Sequence, residues 1–204
     1  MNDLGKALSD IAVLRAQMAQ NCEFRGYGPT TLAATGVLAT IAAVAQQHYL
    51  PDPGVDIRGY LMLWVSTAAL SIILIGIEVV TRSRRVHCGL ADEMIYLAVE
   101  QMLPAIGAAI LVTAVLVHSA PTALWLLPGL WQILLSLGMF ASSRSVPRLM
   151  RAGGLWYLST GLACIAFAHG ANAFSPLAMG LPFGLGQGLA AAALRFPGEV
   201  DEES

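Results

Sequence analysis

Charge is what this sequence has least of. Only 12% of its 204 residues are Asp, Glu, Lys or Arg, where a soluble domain carries about 25%. That shortage speaks against an ordinary water-soluble domain. Lysine occurs once, at Lys6, and the formal net charge is −2, so there is no basic field to hold nucleic acid. Arginine-dominated basic usage with abundant Ala and Gly is what a GC-rich bacterial genome produces.

Cysteine is scarce as well. Cys22, Cys88 and Cys164 form no C-x-x-C pair, which excludes the usual spacing of a zinc or dithiol site. Neither H-E-x-x-H, G-x-S-x-G nor a paired-aspartate motif occurs, and the chain is therefore not expected to be an enzyme. The segment "GLPFGLGQG" (Gly180 to Gly188) is glycine-rich but lies in an apolar run with no Lys-Ser/Thr after it, unlike a phosphate loop. The "GYG" at Gly26 to Gly28 lacks the preceding Thr-Val of a potassium filter. With Phe24 it reads as an interfacial anchor before a sharp turn. No cofactor is signalled.

What the chain does have is apolar sequence in long runs, 56% of all residues. A membrane helix needs about 20 such residues, and six windows qualify: 30–49, 59–80, 93–117, 122–141, 153–170 and 175–194. "PDPG", "SAP" and "NAFSP" punctuate them. The expected fold is all-α: a polytopic bundle of six transmembrane helices in three hairpins. Arginines and Lys6 cluster before the first window (Lys6, Arg15, Arg25), after the second (Arg82, Arg84, Arg85) and after the fourth (Arg144, Arg148, Arg151). On the other side only Arg58 is found. Positive-inside bias thus places both termini in the cytoplasm, in a bacterial plasma (inner) membrane. Residues 1–29 form a cytoplasmic segment whose Leu4, Leu8, Ile11 and Met18 share one stripe. That spacing predicts a short amphipathic helix, and no cleavable signal peptide is read there. Residues 30–195 form the membrane domain, and 196–204 an acidic, disordered tail.

Proline interrupts three of the runs, in "QMLPAIG" (Gln101 to Gly107), "LPGLWQ" (Leu127 to Gln132) and "LPFGLGQ" (Leu181 to Gln187). Each such proline frees a carbonyl that another group must satisfy. The shared Leu-Pro, Gly-Leu and Gln pattern suggests either duplicated hairpins or kinked helices around a cavity. The glycines of these runs suit close helix approach. Trp64, Trp125, Trp131 and Trp156 read as belt or packing residues.

Glu100 is the conspicuous residue, a carboxylate inside the third window. A charged side chain at a helix centre costs roughly 2.5 to 3.5 kcal/mol on insertion scales. Counted from the cytoplasmic end of each window, Glu100 lies about 10 Å deep, Gln132 about 14 Å and Gln187 about 12 Å. Ser159, Thr160 and Thr35 share that slab. Glu100, Gln101, Gln132, Gln187 and Thr160 are therefore the candidate polar cavity, with Glu100 turned inward. Glu78, four residues before Arg82, reads as a local ion pair at the membrane edge. His48, His118 and His169 end the odd-numbered windows at the outer face, a weak candidate set for a Zn or Cu ion or for haem.

Two function classes follow. One is a small membrane protein of regulatory, sensory or partner-binding type. Its partners would be the lipid bilayer, further copies of itself or a cytoplasmic protein. The other is a small-solute or ion carrier or channel, proton-coupled through Glu100.

Overall fold

The structure is a computed structural model and describes residues 28–85, 91–142, 148–168 and 172–195. The expected amphipathic segment and the acidic tail lie outside the described residues. The described residues form six α-helices: α1 (Pro29–Tyr49), α2 (Ile57–Arg85), α3 (Ala91–Ser119), α4 (Leu127–Ala141), α5 (Arg148–Phe167) and α6 (Pro176–Arg195). A 3-10 turn, Pro121–Leu126, leads into α4. Among the described residues there is no strand. Four stretches are long and apolar enough to cross a membrane: Pro29–Tyr49, Ile57–Thr81, Val99–Ser119 and Pro121–Ala141.

The helix starts follow from local chemistry. Pro29 and Pro176 open α1 and α6, where a missing N–H costs nothing and a fixed φ helps. Asp56 precedes α2 and its Oδ1 accepts a hydrogen bond from the Gly59 N–H at 3.0 Å, an N-cap that satisfies one orphan donor.

Each helix packs on its neighbours in sequence, and α6 returns to α1, so the six form a ring. The most extensive contacts are α1 with α6 and α4 with α5. Both seams are built on glycine. In the first, a Cβ on Gly180 would run into Ala43, and one on Gly36 would stand 3.1 Å from the Gln187 Cβ. Gly180, Gly184 and Gly188 recur every four residues and line one face of α6. In the second seam, Cβ atoms on Gly129 and Gly161 would come within 2.7 and 2.8 Å of each other's carbonyl oxygens. Backbone meets backbone there, and no side chain fits. In lipid, where burial gives little driving force, such close packing holds helices together.

The pairings run in opposite order along adjacent helices, so neighbours are antiparallel. They also set depth. Trp131 meets Thr113, and Gly138 meets Met102 and Ala105, which brings Glu100 level with the end of α4 near Ser142. Glu78 packs its carboxyl onto Gly28, just before α1 starts. The two longest helices, α2 and α3, have 29 residues each. At this end they overhang the rest: 91–99 of α3 projects by about 13 Å at 1.5 Å per residue.

Candidate functional site

The interior holds polar groups at three levels. Nearest the α1–α2 turn, Gln46 is fully buried. Its Oε1 accepts from the Trp64 indole N–H at 2.8 Å, and its Nε2 donates to the Phe174 carbonyl at 2.6 Å. One amide thus ties α1 to α2 and to the turn before α6. Tyr60 stands beside it, stacked on Trp131 at 6.5 Å and edge-on to Phe174 at 4.9 Å.

The middle level is set by a proline. Pro182 lies inside α6 and has no N–H to offer the Ala178 carbonyl four residues earlier. Gln132 of α4 takes that place: its Nε2 donates to the Ala178 carbonyl at 2.8 Å and to its own Pro128 carbonyl at 3.1 Å. The kink is closed by a side chain from another helix, as hydrocarbon surroundings demand. Proline and glutamine in "LPGLWQ" and "LPFGLGQ" are therefore not independent: the Gln of one motif serves the Pro of the other.

One turn nearer the overhanging end, Ser136 of α4 and Tyr157 of α5 are buried. The Tyr157 hydroxyl lies beside the Gln187 side chain without a well-formed hydrogen bond. Four buried oxygens along this axis have no hydrogen-bond partner: Tyr60 Oη, Gln132 Oε1, Ser136 Oγ and Tyr157 Oη. Unpartnered polar atoms in a dry interior cost about 1–3 kcal/mol each. They are the most demanding feature of the core.

The five residues expected to share a cavity differ in their exposure. Gln132 is buried, while Gln187 is half-buried against Gly36. Thr160 is half-buried and donates to its own helix, to the Trp156 carbonyl at 2.9 Å. Gln101 is half-buried on α3, and Glu100 is exposed. Contacts between α3 and α4 bring Glu100 level with the end of α4. Thr35 is buried and Ser159 exposed, each bonding within its own helix. Glu78 rests on Gly28; the Arg82 side chain lies outside the described residues. Gln46, Tyr60, Ser136 and Tyr157 were not singled out by sequence. Gln46 carried a usable signal, an amide one helical turn before the end of an apolar window.

His48 and His118 are exposed at the ends of α1 and α3; His169 lies outside the described residues. Among the described residues no three His, Cys, Asp or Glu side chains gather where a metal could bind. Two concavities are best formed. One of about 350 Å³ lies between α5 and α6, lined by Thr160, Cys164, Phe167 and Leu181 among others. The other, about 370 Å³, runs along α1 past Thr40, Val44 and His48. Both are shallow, open and walled mostly by apolar groups.

The chain matches no protein-family model, and no curated protein or solved structure shows significant similarity to it. The fold defines a class: a protein that is all-helical in its described residues and of membrane character.

Proposed function

We propose that this is a six-span integral protein of a bacterial inner membrane, with both termini cytoplasmic, that works by binding a partner and not by catalysis or transport. One observation carries the reading: among the described residues, α2 and α3 are the least buried of the candidate spans and overhang their neighbours at one end. Within the candidate spans, 6% of α2 and none of α3 is buried, against 33% of α1. In the proposed orientation the hairpin overhangs on the cytoplasmic side, where Arg82, Arg84 and Arg85 stand at the end of α2. Glu100 then sits near the headgroup boundary, where a carboxylate costs far less than at the bilayer centre. The interior supports the same reading, since Gln46 and Gln132 spend their amide donors tying helices together.

The carrier reading has one observation in its favour, the row of unpartnered oxygens from Tyr60 to Tyr157. A proton or small polar solute would find hydrogen-bonding groups there. The two readings separate in proteoliposomes loaded with a pH-sensitive dye and given a proton gradient. We expect decay of the gradient at the rate of empty vesicles, unchanged by Gln132→Leu. Faster decay that Gln132→Leu or Tyr157→Phe abolishes would establish the carrier instead.

A further inference from the structure

Hydroxyl groups inside these helices follow one habit. Thr40, Thr113, Ser142 and Ser159 each donate to the carbonyl four residues back in their own helix, the usual outlet for a helical serine or threonine. Ser136 is the exception: it is fully buried and its Oγ has no partner. Three more oxygens in the same core share that state. Tyr60 Oη and Tyr157 Oη are unpartnered, and so is Gln132 Oε1, although the amide nitrogen beside it is bonded to the Pro128 and Ala178 carbonyls. None of the four residues is more than 2% exposed.

These oxygens follow one another along the core. Gln132 and Ser136 are one turn apart on α4, about 6 Å of rise. A Cβ on Gly161 would stand 3.1 Å from the Gln132 Cβ, and one on Gly154 would stand 2.9 Å from the Phe140 ring. That antiparallel register puts Tyr157 level with Ser136. The Tyr157 hydroxyl reaches α6, 2.9 Å from where a Cβ on Gly186 would lie. In the other direction Tyr60 stacks on Trp131, the residue before Gln132. Near Tyr60 the series stops: the buried Gln46 has both ends of its amide bonded to protein.

The chemistry of the four atoms selects the ligand. Gln132 Oε1 can only accept, while each hydroxyl offers one donor and also accepts. Water supplies both functions, and two hydrogen bonds of about 2.8 Å through one molecule span about one helical turn. A metal cation would leave three hydroxyl hydrogens to be placed, and none of the four groups carries a charge to balance it. We propose that the core of this bundle binds a short file of water molecules, held by Tyr157, Ser136 and Gln132 and ending at Tyr60. A water between successive oxygens has the two or more polar partners that a buried site needs. Tyr60 is held between Trp131 and Phe174, and no unpartnered oxygen lies past it among the described residues, so the file stops inside the bundle. The inference goes beyond the partner-binding reading and does not depend on it.

The test is radiolytic hydroxyl-radical labelling of the full-length protein in lipid nanodiscs, read residue by residue by mass spectrometry. Radicals made from an internal water mark the side chains beside it, with or without contact to bulk solvent. Met179 is 4% exposed and its Sδ lies 3.9 Å from Gln132 Nε2, so it should be oxidised in wild type together with Tyr157. In the Ser136→Ala, Tyr157→Phe double variant the Met179 yield should fall several-fold. Stability gives an independent sign. Each of these substitutions removes only an oxygen, so the fold is kept. Losing a water-bound hydroxyl should raise the unfolding equilibrium constant roughly two- to tenfold. The double variant should lose less than the two effects combined, because the two hydroxyls share waters. An unlabelled Met179 in wild type overturns the proposal, and so does a yield that the double variant leaves unmoved. Single variants as stable as wild type, or more stable, overturn it too, since removing a dry, unpartnered hydroxyl costs nothing. Gradient decay in the proteoliposomes that Tyr157→Phe abolishes would contradict the stop at Tyr60 and the partner-binding reading together. Labelling without decay supports the file as stated.

Discussion

Two halves of the bundle use the same residues in opposite ways. Where α1 meets α6 and α4 meets α5, glycines are pressed against backbone and side chains of the facing helix. On α2 and α3, Gly76 and Gly107 face open space. The proline kinks divide along the same line. Pro182 of α6 is buried and its freed carbonyl is bonded by Gln132, whereas Pro104 of α3 is exposed. Among the described residues, one half meets most of its glycines and its kink within the chain, Gly188 excepted, while on the other Gly76, Gly107 and Pro104 are open. The lesson is that glycine or proline in a span says where close approach or a broken bond exists, and only packing says whether it has been answered.

The comparison can be broken first at its tightest point. Gly180→Leu puts a branched side chain into Ala43, and the two backbones cannot part without opening the α1–α6 seam. We expect no folded monomer by size exclusion in mild detergent. Next comes the closed kink. Gln132→Leu leaves the Ala178 carbonyl unbonded and should lower stability by about 1–2 kcal/mol, the upper range for polar contacts in membrane proteins. Pro182→Ala restores an N–H for that carbonyl. The double variant should therefore lose less than the sum of the two single losses in a denaturant titration; strict additivity would show that Gln132 does not serve the kink. A smaller effect is expected at Gln46. Replacing it with Leu costs both the Trp64 and the Phe174 bonds, about 1 kcal/mol. Trp64→Phe in that background should then add little beyond its change in volume. Least of all, Gly76→Leu should stay within about 0.5 kcal/mol of wild type, as for a surface change.

Much of the architecture was legible because it rests on local rules. The apolar windows, the prolines that open helices and the "PDPG" turn gave helix limits that agree with the structure to within a few residues in most cases. The main exceptions are the C-terminal end of α2, the start of α5 and the start of α4, which a 3-10 turn precedes. The last turn of α2 carries Arg82, Arg84 and Arg85, which look like a loop to a hydropathy window, although the helical backbone bonds continue through charged residues as well as apolar ones. The polar core was only partly legible. Gln132 was marked by its motif, but its partner is the Ala178 carbonyl, and a carbonyl freed by a distant proline has no side-chain signature. The level of Glu100 relative to α4 depends on Thr113 meeting Trp131 and Met102 meeting Gly138, contacts between residues far apart in sequence. Tyr157 and Ser136 carry nothing in their neighbours that separates a buried hydroxyl from a lipid-facing one.

The most direct measurement compares two glycines in one experiment, thermal unfolding of Gly161→Leu and Gly107→Leu in the same mild detergent. Gly161 is held against the carbonyl of Gly129, and Gly107 meets nothing. The account predicts that Gly107→Leu unfolds at the wild-type temperature and that Gly161→Leu shows no cooperative transition. Equal losses in the two variants would mean that α3 is already covered within the single chain, and the division of the molecule into a closed half and an open half would be wrong.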